Sequence, residues 1–314
     1  MPGIAGIIGR VQAAPSDDTI GAMVQPMVHE PSWKHGHCTV ESPILTVGWV
    51  CPDGSSAAAR PVWNGNRTVG LIFVGEEFSH GVNGDASAVL RLYEEHGAAF
   101  LAQLNGCYAG LLVDLPERKA VLFNDRFGLG RIYHHQSPDG FYFSSEAKSL
   151  LAALPRVRRL DPQGLAEFYA VGCVLQNRTL FDGVALLPPG SAWTFHGDGR
   201  VEKQRYFDPA EWEGQETLDA ASYAGKLQEV FGRVAPRYLQ GGRQVAMSLT
   251  GGLDSRAILA WVRAAPGSLP CYTFAGPYRD CADVRISRRL AQLTRQPHTT
   301  LRIGKEFFAD FPTL

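Results

Sequence analysis

The sequence predicts two fold classes in succession, an α+β domain built mostly on antiparallel sheet and then an α/β domain on a parallel, doubly wound sheet. Two observations lead there. The first two thirds of the chain carry many short apolar runs separated by turn residues, with few helical patterns between them. From Leu218 onward, strand-like and helix-like stretches alternate at the rhythm that parallel sheets need for their crossovers. A third observation marks the second domain. Gln244 to Arg256, QVAMSLTGGLDSR, reads as a buried strand, a glycine turn and the start of a helix.

In chain order, residues 3–11 (GIAGIIGRV), 43–50 and 68–74 (TVGLIFV) read as strands. A helix is expected over Asp85–Gly97, with Ala88, Leu90, Leu92 and Tyr93 on its apolar side and Gly97 as its C-terminal cap, and another over Ala98–Leu104. Cys107–Asp114, Lys119–Asn124, Arg131–His135 and Gly140–Ser144 read as short strands around turns at Pro116 and Ser137–Gly140. Ser145–Leu154 and Pro162–Val171 read as helices, the second capped by Asp161 with Pro162 at its first position. Leu186–Gly190 turns into a strand at Ser191–Phe195, which returns to Arg200–Glu202. The domain boundary falls in Tyr206–Thr217, giving domains at 1–205 and 218–314. Leu218–Leu239 is a long helical pattern interrupted at Pro236. After the TGGLDS turn and the helix Leu253–Val262 come a strand at Leu269–Ala275, a helix at Asp283–Thr294 and a strand at His298–Ile303.

Composition narrows the class. The 314 residues are 45% hydrophobic and 19% charged, a globular balance long enough for about two domains. A net charge of −1 gives no argument for nucleic acid or an acidic membrane as partner. The cysteines Cys38, Cys51, Cys107, Cys173, Cys271 and Cys281 form no CxxC or other metal-ligand spacing and read as scattered thiols. The N-terminal apolar run has no basic region before it, and no run approaches the length of a membrane span, so a soluble cytoplasmic protein is the expectation. His134 and His135, adjacent on a strand, face opposite ways and read as surface histidines rather than a metal pair.

The chemistry concentrates in Ser248-Leu249-Thr250-Gly251-Gly252-Leu253-Asp254-Ser255. A helix N-terminus offers unpaired N–H groups and a dipole that favours an anion. Gly251 and Gly252 let the backbone approach it, Thr250 and Ser255 add hydroxyls, and Asp254 adds a carboxylate suited to Mg²⁺. No lysine follows the glycines and no G-x-G-x-x-G is present, which removes the two commonest phosphate loops. TGGLDS resembles the S-G-G-x-D-S pyrophosphate loop of the ATP pyrophosphatases, with Thr250 keeping the hydroxyl of the first serine. The plainer reading of the same residues is a tight turn with a capping aspartate.

With both ends read, the chain resembles the asparagine synthetase family. MPGIAGI resembles its M-C-G-I-A-G-I start, VGEEFS at 74–79 its N-G-E segment, and GDASAVLRLYEEHG at 84–97 the stretch that carries an aspartate for the substrate amine. Asn124–Gly128, Phe143–Leu150 and Ala185–Gly190 resemble further segments in the same order, and Tyr272-Thr273-Phe274 and Asp283 sit where the synthetase domain expects them. The resemblance implies an N-terminal-nucleophile glutaminase, a four-layered αββα sandwich, followed by an ATP-pyrophosphatase domain. It also implies that ATP and Mg²⁺ are bound, that Asp254 is a metal ligand, that Thr273 and Phe274 line the adenine, and that a carboxylate-bearing substrate is adenylated.

Against that family the first domain departs at its chemistry. Pro2 stands where the nucleophilic cysteine belongs, Glu30 of His29-Glu30-Pro31 where an arginine would hold the substrate carboxylate, and Val74 where an asparagine would complete the oxyanion hole. Gly75, Glu76 and Asp85 survive. The expectation is a degenerate glutamine pocket without glutaminase activity. Pro2 as a secondary-amine nucleophile after loss of Met1 is the less favoured reading, against a tolerated end residue. Relatives without the cysteine, β-lactam synthetases and lasso-peptide cyclases, use an amine already on the substrate. The stretch from Leu218 to Leu314 is short for the second domain, and a later metal-binding carboxylate and basic residues have no counterpart. A fragment, a split product, a nucleotide-binding protein without catalysis, a homodimer and a complementing second chain stay open. For the last of these, Phe307, Phe308 and Phe311 would be an interface patch.

Overall fold

A computed structural model of the chain describes residues 2–9, 17–41, 43–53, 60–79, 86–239 and 245–310. The chain divides into two compact units, Met1–Gln215 and Glu216–Leu314.

Unit 1 begins with β1 (Gly3–Gly9), α1 (Asp17–Val24), β2 (Lys34–Glu41), β3 (Ile44–Cys51), β4 (Val62–Trp63) and β5 (Val69–Glu77). It continues with α2 (Ala86–His96), α3 (Phe100–Gln103), β6 (Gly106–Asp114), β7 (Lys119–Asn124), β8 (Tyr133–Ser137) and β9 (Gly140–Ser144). It closes with α4 (Ala147–Ala153), α5 (Pro162–Val171), β10 (Ala185–Leu186), β11 (Ser191–His196) and β12 (Val201–Arg205). One six-stranded sheet runs β10-β8-β9-β1-β3-β2 and a second runs β12-β11-β7-β6-β5-β4, antiparallel throughout.

Side-chain alternation along each strand builds four layers. Ile4 and Ile8 of β1 and Ala109, Leu111 and Val113 of β6 point into the core between the sheets, where they meet Phe141, Phe143 and Trp193. Ala5 and Ile7 point the other way, into a core closed by Ile20, Met23 and Val24 of α1 and Leu150 of α4. Tyr108 and Leu112 point out of the second sheet against Val89, Leu90, Tyr93 and Phe100 of α2 and α3. Both faces of each sheet are therefore covered, which is why GIAGIIG and VGLIFV read as unbroken apolar runs rather than alternating ones. Glycines open space for cross-strand rings. Phe143 lies opposite Gly6 and Phe123 opposite Gly110, each ring within 2.4 Å of where a glycine Cβ would stand.

Several sequence expectations shift at the edges. The helix of 85–97 is described over Ala86–His96, and the stretch expected to be helical at Ala98–Leu104 is a 3₁₀ turn, Gly97–Ala99, followed by α3. Of the first expected strand, β1 ends at Gly9, and residues 10–16 lie outside the described residues. α1 and β2 were not expected. β2, KHGHCTVE, is an outer strand of its sheet, mostly exposed, and carries no apolar run to betray it. The pair His134–His135 is corrected in one half. The rings do face opposite ways, but His134 is half-buried. It packs against Phe141 and Trp193, with centroids at 5.3 and 5.0 Å, and its Nδ1 is shielded from water with no hydrogen-bond partner among the described residues.

Unit 2 contains α6 (Ala220–Val234), β13 (Met247–Ser248), α7 (Leu253–Val262), β14 (Cys271–Ala275), α8 (Ala282–Leu293), β15 (His298–Arg302) and α9 (Lys305–Asp310). Asp219 caps α6 by accepting from the N–H groups of Ala221 and Ser222 at 2.9 and 3.0 Å. The three strands are parallel and lie in the order β13-β14-β15. This order never reverses, so the doubly wound expectation narrows to a singly wound run among the described residues. Right-handed crossovers that advance in one direction place their helices on one face. Leu259 of α7 and Ala291 of α8 accordingly share a core with Cys271 and Leu249. β13 is only two residues long against the five expected. No described helix is long and apolar enough to cross a membrane.

Two outcomes follow from these cores. Burial, with Lys203 and His135 adding like charge, holds His134 down to about 4. The unfolded chain binds that proton below about 6.5 while the folded chain does not, so stability is full above that value and falls as pH drops toward 4. His134→Phe is expected to flatten this fall, measured as wild-type-minus-variant Tm between those pH values. Gly110→Ala places a methyl against the Phe123 ring and near the Ile72 carbonyl oxygen, at 2.4 and 3.0 Å. It is expected to cost about 1–3 kcal/mol, read from urea midpoints at unchanged slope.

Candidate functional site

The first candidate site lies at the end of unit 1 where β1 begins. Ser145 accepts the Ile4 N–H on its Oγ at 3.0 Å and donates its own N–H to the Ile4 carbonyl at 2.8 Å, which holds the start of β1 against the turn into α4. Pro2, immediately before, lines a cavity of about 670 Å³ together with Val74, Gly75, Cys107, Ser145 and Lys148. Gly75 is locked there by geometry. Its φ is +116°, and a Cβ would stand 2.1 Å from the Cys107 carbonyl oxygen, so only glycine fits.

Of the sequence candidates for the glutamine pocket, Pro2, Val74 and Gly75 share this cavity. Glu30 and Glu76 do not line it. Glu30 is exposed in the turn before β2, and Glu76 stands opposite Cys107 in the β5–β6 ladder. Asp85 lies outside the described residues. His29 rather than Glu30 reaches the cavity, and its Nε2 lies 2.7 Å from Glu146 Oε1. Lys148 Nζ lies 3.1 Å from Glu146 Oε2, so His29, Glu146 and Lys148 form one chain of polar contacts on the cavity wall. Arg131 adds a further cation. Burial first, and then Asp125 and Glu76, push the Cys107 thiol up, which keeps it in its weakly nucleophilic protonated form.

The loop beneath this cavity is organised by a buried carboxylate. Asp125 accepts the N–H groups of Phe127 and Leu129 on Oδ1 at 2.9 and 3.2 Å, and those of Gly130 and Tyr108 on Oδ2 at 2.5 and 3.3 Å. The preceding Asn124 donates to the Leu187 carbonyl and accepts the Ser191 N–H, which ties the loop to the turn before β11. No single sequence motif marks this set, because His29 and Glu146 are 117 positions apart.

The second candidate site lies in unit 2, where the carboxyl ends of parallel strands point the same way. Leu249 is buried, and Thr250-Gly251-Gly252 turn the chain into α7. Thr250 Oγ1 lies 3.1 Å from Ser255 Oγ and accepts the Gly252 N–H at 3.1 Å, while Ser255 Oγ accepts the Thr250 N–H at 3.1 Å. These bonds bring both hydroxyls to the turn. Gly252 occupies the N-cap position without a side-chain cap, so the first N–H groups of α7, at Leu253, Asp254 and Ser255, have no carbonyl within the helix to receive them. Asp254 is exposed in the first turn. Ser248 and Leu253 are exposed, the latter at 75%.

Thr273 is buried beneath the loop. Its Oγ1 bonds the Leu249 carbonyl at 2.6 Å and lies 2.7 Å from Ser287 Oγ and 2.9 Å from His298 Nε2. It ties the strand end to α8 and β15 rather than facing outward, whereas Phe274 is 56% exposed. Asp283 was placed by the resemblance without a role. Its Oδ1 accepts the Gly251 N–H at 2.8 Å. Arg285 and Arg288, both exposed, converge on Asp280 with Arg302. Among the described residues no group of three or more His, Cys, Asp or Glu side chains is placed to hold a metal ion. Oxygen donors are nevertheless what the loop offers, and a hard cation that keeps its waters and takes one or two carboxylates fits Asp254.

Comparison with known proteins agrees with the first unit above all. The family described as the glutamine amidotransferase domain matches residues 1–207. Asparagine synthetase [glutamine-hydrolyzing] 3 of Bacillus subtilis is 28% identical over 202 residues, covering 62% of this chain and 32% of that protein. Asparagine synthetase [glutamine-hydrolyzing] 1 of the same organism is 21% identical over 308 residues, covering 93% of this chain and 48% of that protein. The chain thus spans a third to a half of the length of these two relatives. A solved glutamine phosphoribosylpyrophosphate amidotransferase from B. subtilis overlaps 95% of this chain and 65% of its own at 12% identity, with a TM-score of 0.39. With the match running through both stacked sheets, from β1 to the residues just past β12, the chain belongs to the glutamine amidotransferase domain family.

Proposed function

We propose that this chain works as an ATP-dependent, amide-forming ligase of the asparagine synthetase kind, with a first unit that keeps the glutaminase architecture but does not hydrolyse glutamine. The observation that carries the reading is the TGGLDS turn at the carboxyl end of a parallel strand, where two hydroxyls, a set of unpaired N–H groups and an exposed carboxylate converge. Such a turn suits a polyphosphate. In the proposed step a substrate carboxylate oxygen bonds to the α-phosphorus of ATP, the bond to the bridging oxygen of the β-phosphate breaks, and pyrophosphate leaves. An amine then attacks the acyl carbon and AMP departs. Thr250, Ser255 and the α7 N–H groups stabilise charge on the leaving pyrophosphate. Asp254 would hold a Mg²⁺ ion, which would supply further neutralisation there.

The amine source follows from unit 1. Pro2 offers no thiol, Val74 offers no side-chain donor, and the Cys107 thiol is held protonated. An amine already on the substrate, as in intramolecular amide formation, or free ammonia fits this better than glutamine. A second reading from another class is a nucleotide-binding protein that completes its site with a second chain. One observation favours it. Phe274 and Leu301 are register partners on β14 and β15 and stand 56% and 41% exposed, although parallel sheets are ordinarily covered on both faces.

Pyrophosphate–ATP exchange separates these readings. Exchange is expected with at least one member of a panel of amino-acid and β-amino-acid carboxylates, and Asp254→Asn is expected to slow it by about a hundredfold. ATP binding with no exchange for any carboxylate would leave the non-catalytic reading. Incubation with glutamine is expected to release no glutamate beyond a protein-free blank. Turnover above that blank would sink the account of unit 1.

A further inference from the structure

The net charge of −1 hides a division between the two units. Met1–Gln215 carries seventeen Lys and Arg against twenty-three Asp and Glu, a net −6. Glu216–Leu314 carries thirteen against eight, a net +5. Such asymmetry between halves points to an anionic partner for the basic half. The excess is gathered in one stretch, for Arg279 to Arg302 holds six arginines, no lysine and two aspartates.

The fold sets five of these arginines together. Arg285, Arg288 and Arg289 stand at i, i+3 and i+4 on α8, and all three are exposed. Asp280 brings Arg302 to them from the end of β15. Its carboxylate accepts from Arg288 at 3.0 Å and from Arg302 at 2.6 Å, and its carbonyl accepts from Arg285 at 3.0 Å. Arg279 directly precedes Asp280 in the chain. Hydrogen bonds from Arg302 and Arg288 hold the Asp280 carboxyl below its usual range, so it stays ionised, yet it balances only one of the five charges. Asp283, the other aspartate of the stretch, turns to the Gly251 N–H.

Most of the donors on this face are unused. A guanidinium carries five N–H groups. Arg285 and Arg288 each make one side-chain bond and Arg302 makes two, the second to the Gly276 carbonyl. Arg279 and Arg289 are exposed and bond no other described residue through their side chains. Guanidinium forks match phosphate oxygens in pairs, where lysine would offer a point charge. Tyr278, immediately before Arg279, is 86% exposed. An exposed ring beside a phosphate-binding face gives an unpaired base a surface to stack on, whereas an acidic protein would use the charge and leave the ring idle.

We propose that this arginine face of unit 2 binds single-stranded nucleic acid, with Arg279, Arg285, Arg288, Arg289 and Arg302 meeting backbone phosphates and Tyr278 stacking on a base. The face does not depend on the TGGLDS turn, and no step of amide formation is assigned to it.

Fluorescence anisotropy of a labelled oligouridylate of about 20 nucleotides, titrated with the full chain, tests it. Binding is expected at about 50 mM KCl and is expected to weaken about a hundredfold by about 200 mM, as release of counterions from about five phosphates requires. The double variant Arg279→Gln, Arg289→Gln removes two cations that hold nothing else in the fold. It is expected to flatten the slope of log affinity against log salt by about 1.4. Tyr278→Ala is expected to weaken binding about tenfold at every salt concentration and to leave the slope unchanged. Arg91→Gln, on α2 of unit 1, is expected to change neither. Absence of binding at about 50 mM KCl, or an unchanged slope in the double variant, overturns the proposal. Polyglutamate that binds as tightly as the oligonucleotide, with Tyr278→Ala without effect, assigns the face to an acidic protein and overturns the nucleic acid. UMP that displaces the oligonucleotide at equal nucleotide concentration overturns the strand in favour of a free nucleotide. Circular dichroism of each variant, matching wild type, shows that the comparison is made on folded protein.

Discussion

Unit 1 depends on one constraint, that both faces of both sheets must be covered. The inner faces cover each other, with Ile4, Ile8, Leu111, Phe143 and Trp193 meeting across the gap, and the outer faces take α1 with α4 on one side and α2 with α3 on the other. Fully burying a side chain such as Phe143 or Leu111 contributes about 1.5–3 kcal/mol, so a strand buried on two faces contributes from nearly every position. The price of this economy is tight complementarity. Gly6 and Gly110 exist to admit the rings of Phe143 and Phe123, and no larger residue fits opposite them. The same covering leaves the strand ends as the places where polar backbone and chemistry are free to gather.

Both candidate sites are strand-end features of that kind. At the start of β1 the Ser145 turn, Gly75 and the loop pinned by Asp125 converge from four separate stretches of chain. At the end of β13 the turn is local, since Thr250, Gly252 and Ser255 bond within six residues. Its support is less local. Thr273 holds the Leu249 carbonyl from β14, and Asp283 holds Gly251 from α8. A buried hydroxyl bonding a carbonyl, a second hydroxyl and an imidazole stiffens the strand end more than any one of those bonds alone.

How much was legible in the residues follows from this difference. The TGGLDS turn was readable because its chemistry lies within one short window, and α7 begins and ends where the apolar pattern placed it. The core strands were readable because doubly buried strands spell continuous apolar runs. β2 was not, because an exposed outer strand of polar residues spells nothing. His29 was passed over in favour of Glu30, its neighbour, because one residue of register in a turn decides which side chain reaches a cavity and no periodicity sets it. His134 was read as a surface residue because alternation says that adjacent histidines diverge without saying which of them faces the core.

By itself the sequence determined most of the core strands, the change from antiparallel to parallel sheet and the residue types at the TGGLDS turn, since propensity, hydrophobic period and glycine placement are properties of short windows. It also determined that Pro2 and Val74 lack the groups a glutaminase would use, since a missing thiol or amide is missing in any fold. Only the tertiary structure decided that Pro2, Val74 and Gly75 share a cavity with His29, Glu146 and Lys148. Only the tertiary structure decided that three nearby arginines gather at Asp280 while Asp283 bonds the Gly251 N–H. The physical reason is the same in both places. Which charge meets which partner depends on distances between elements far apart in the chain, and those are set by how the sheets and helices pack.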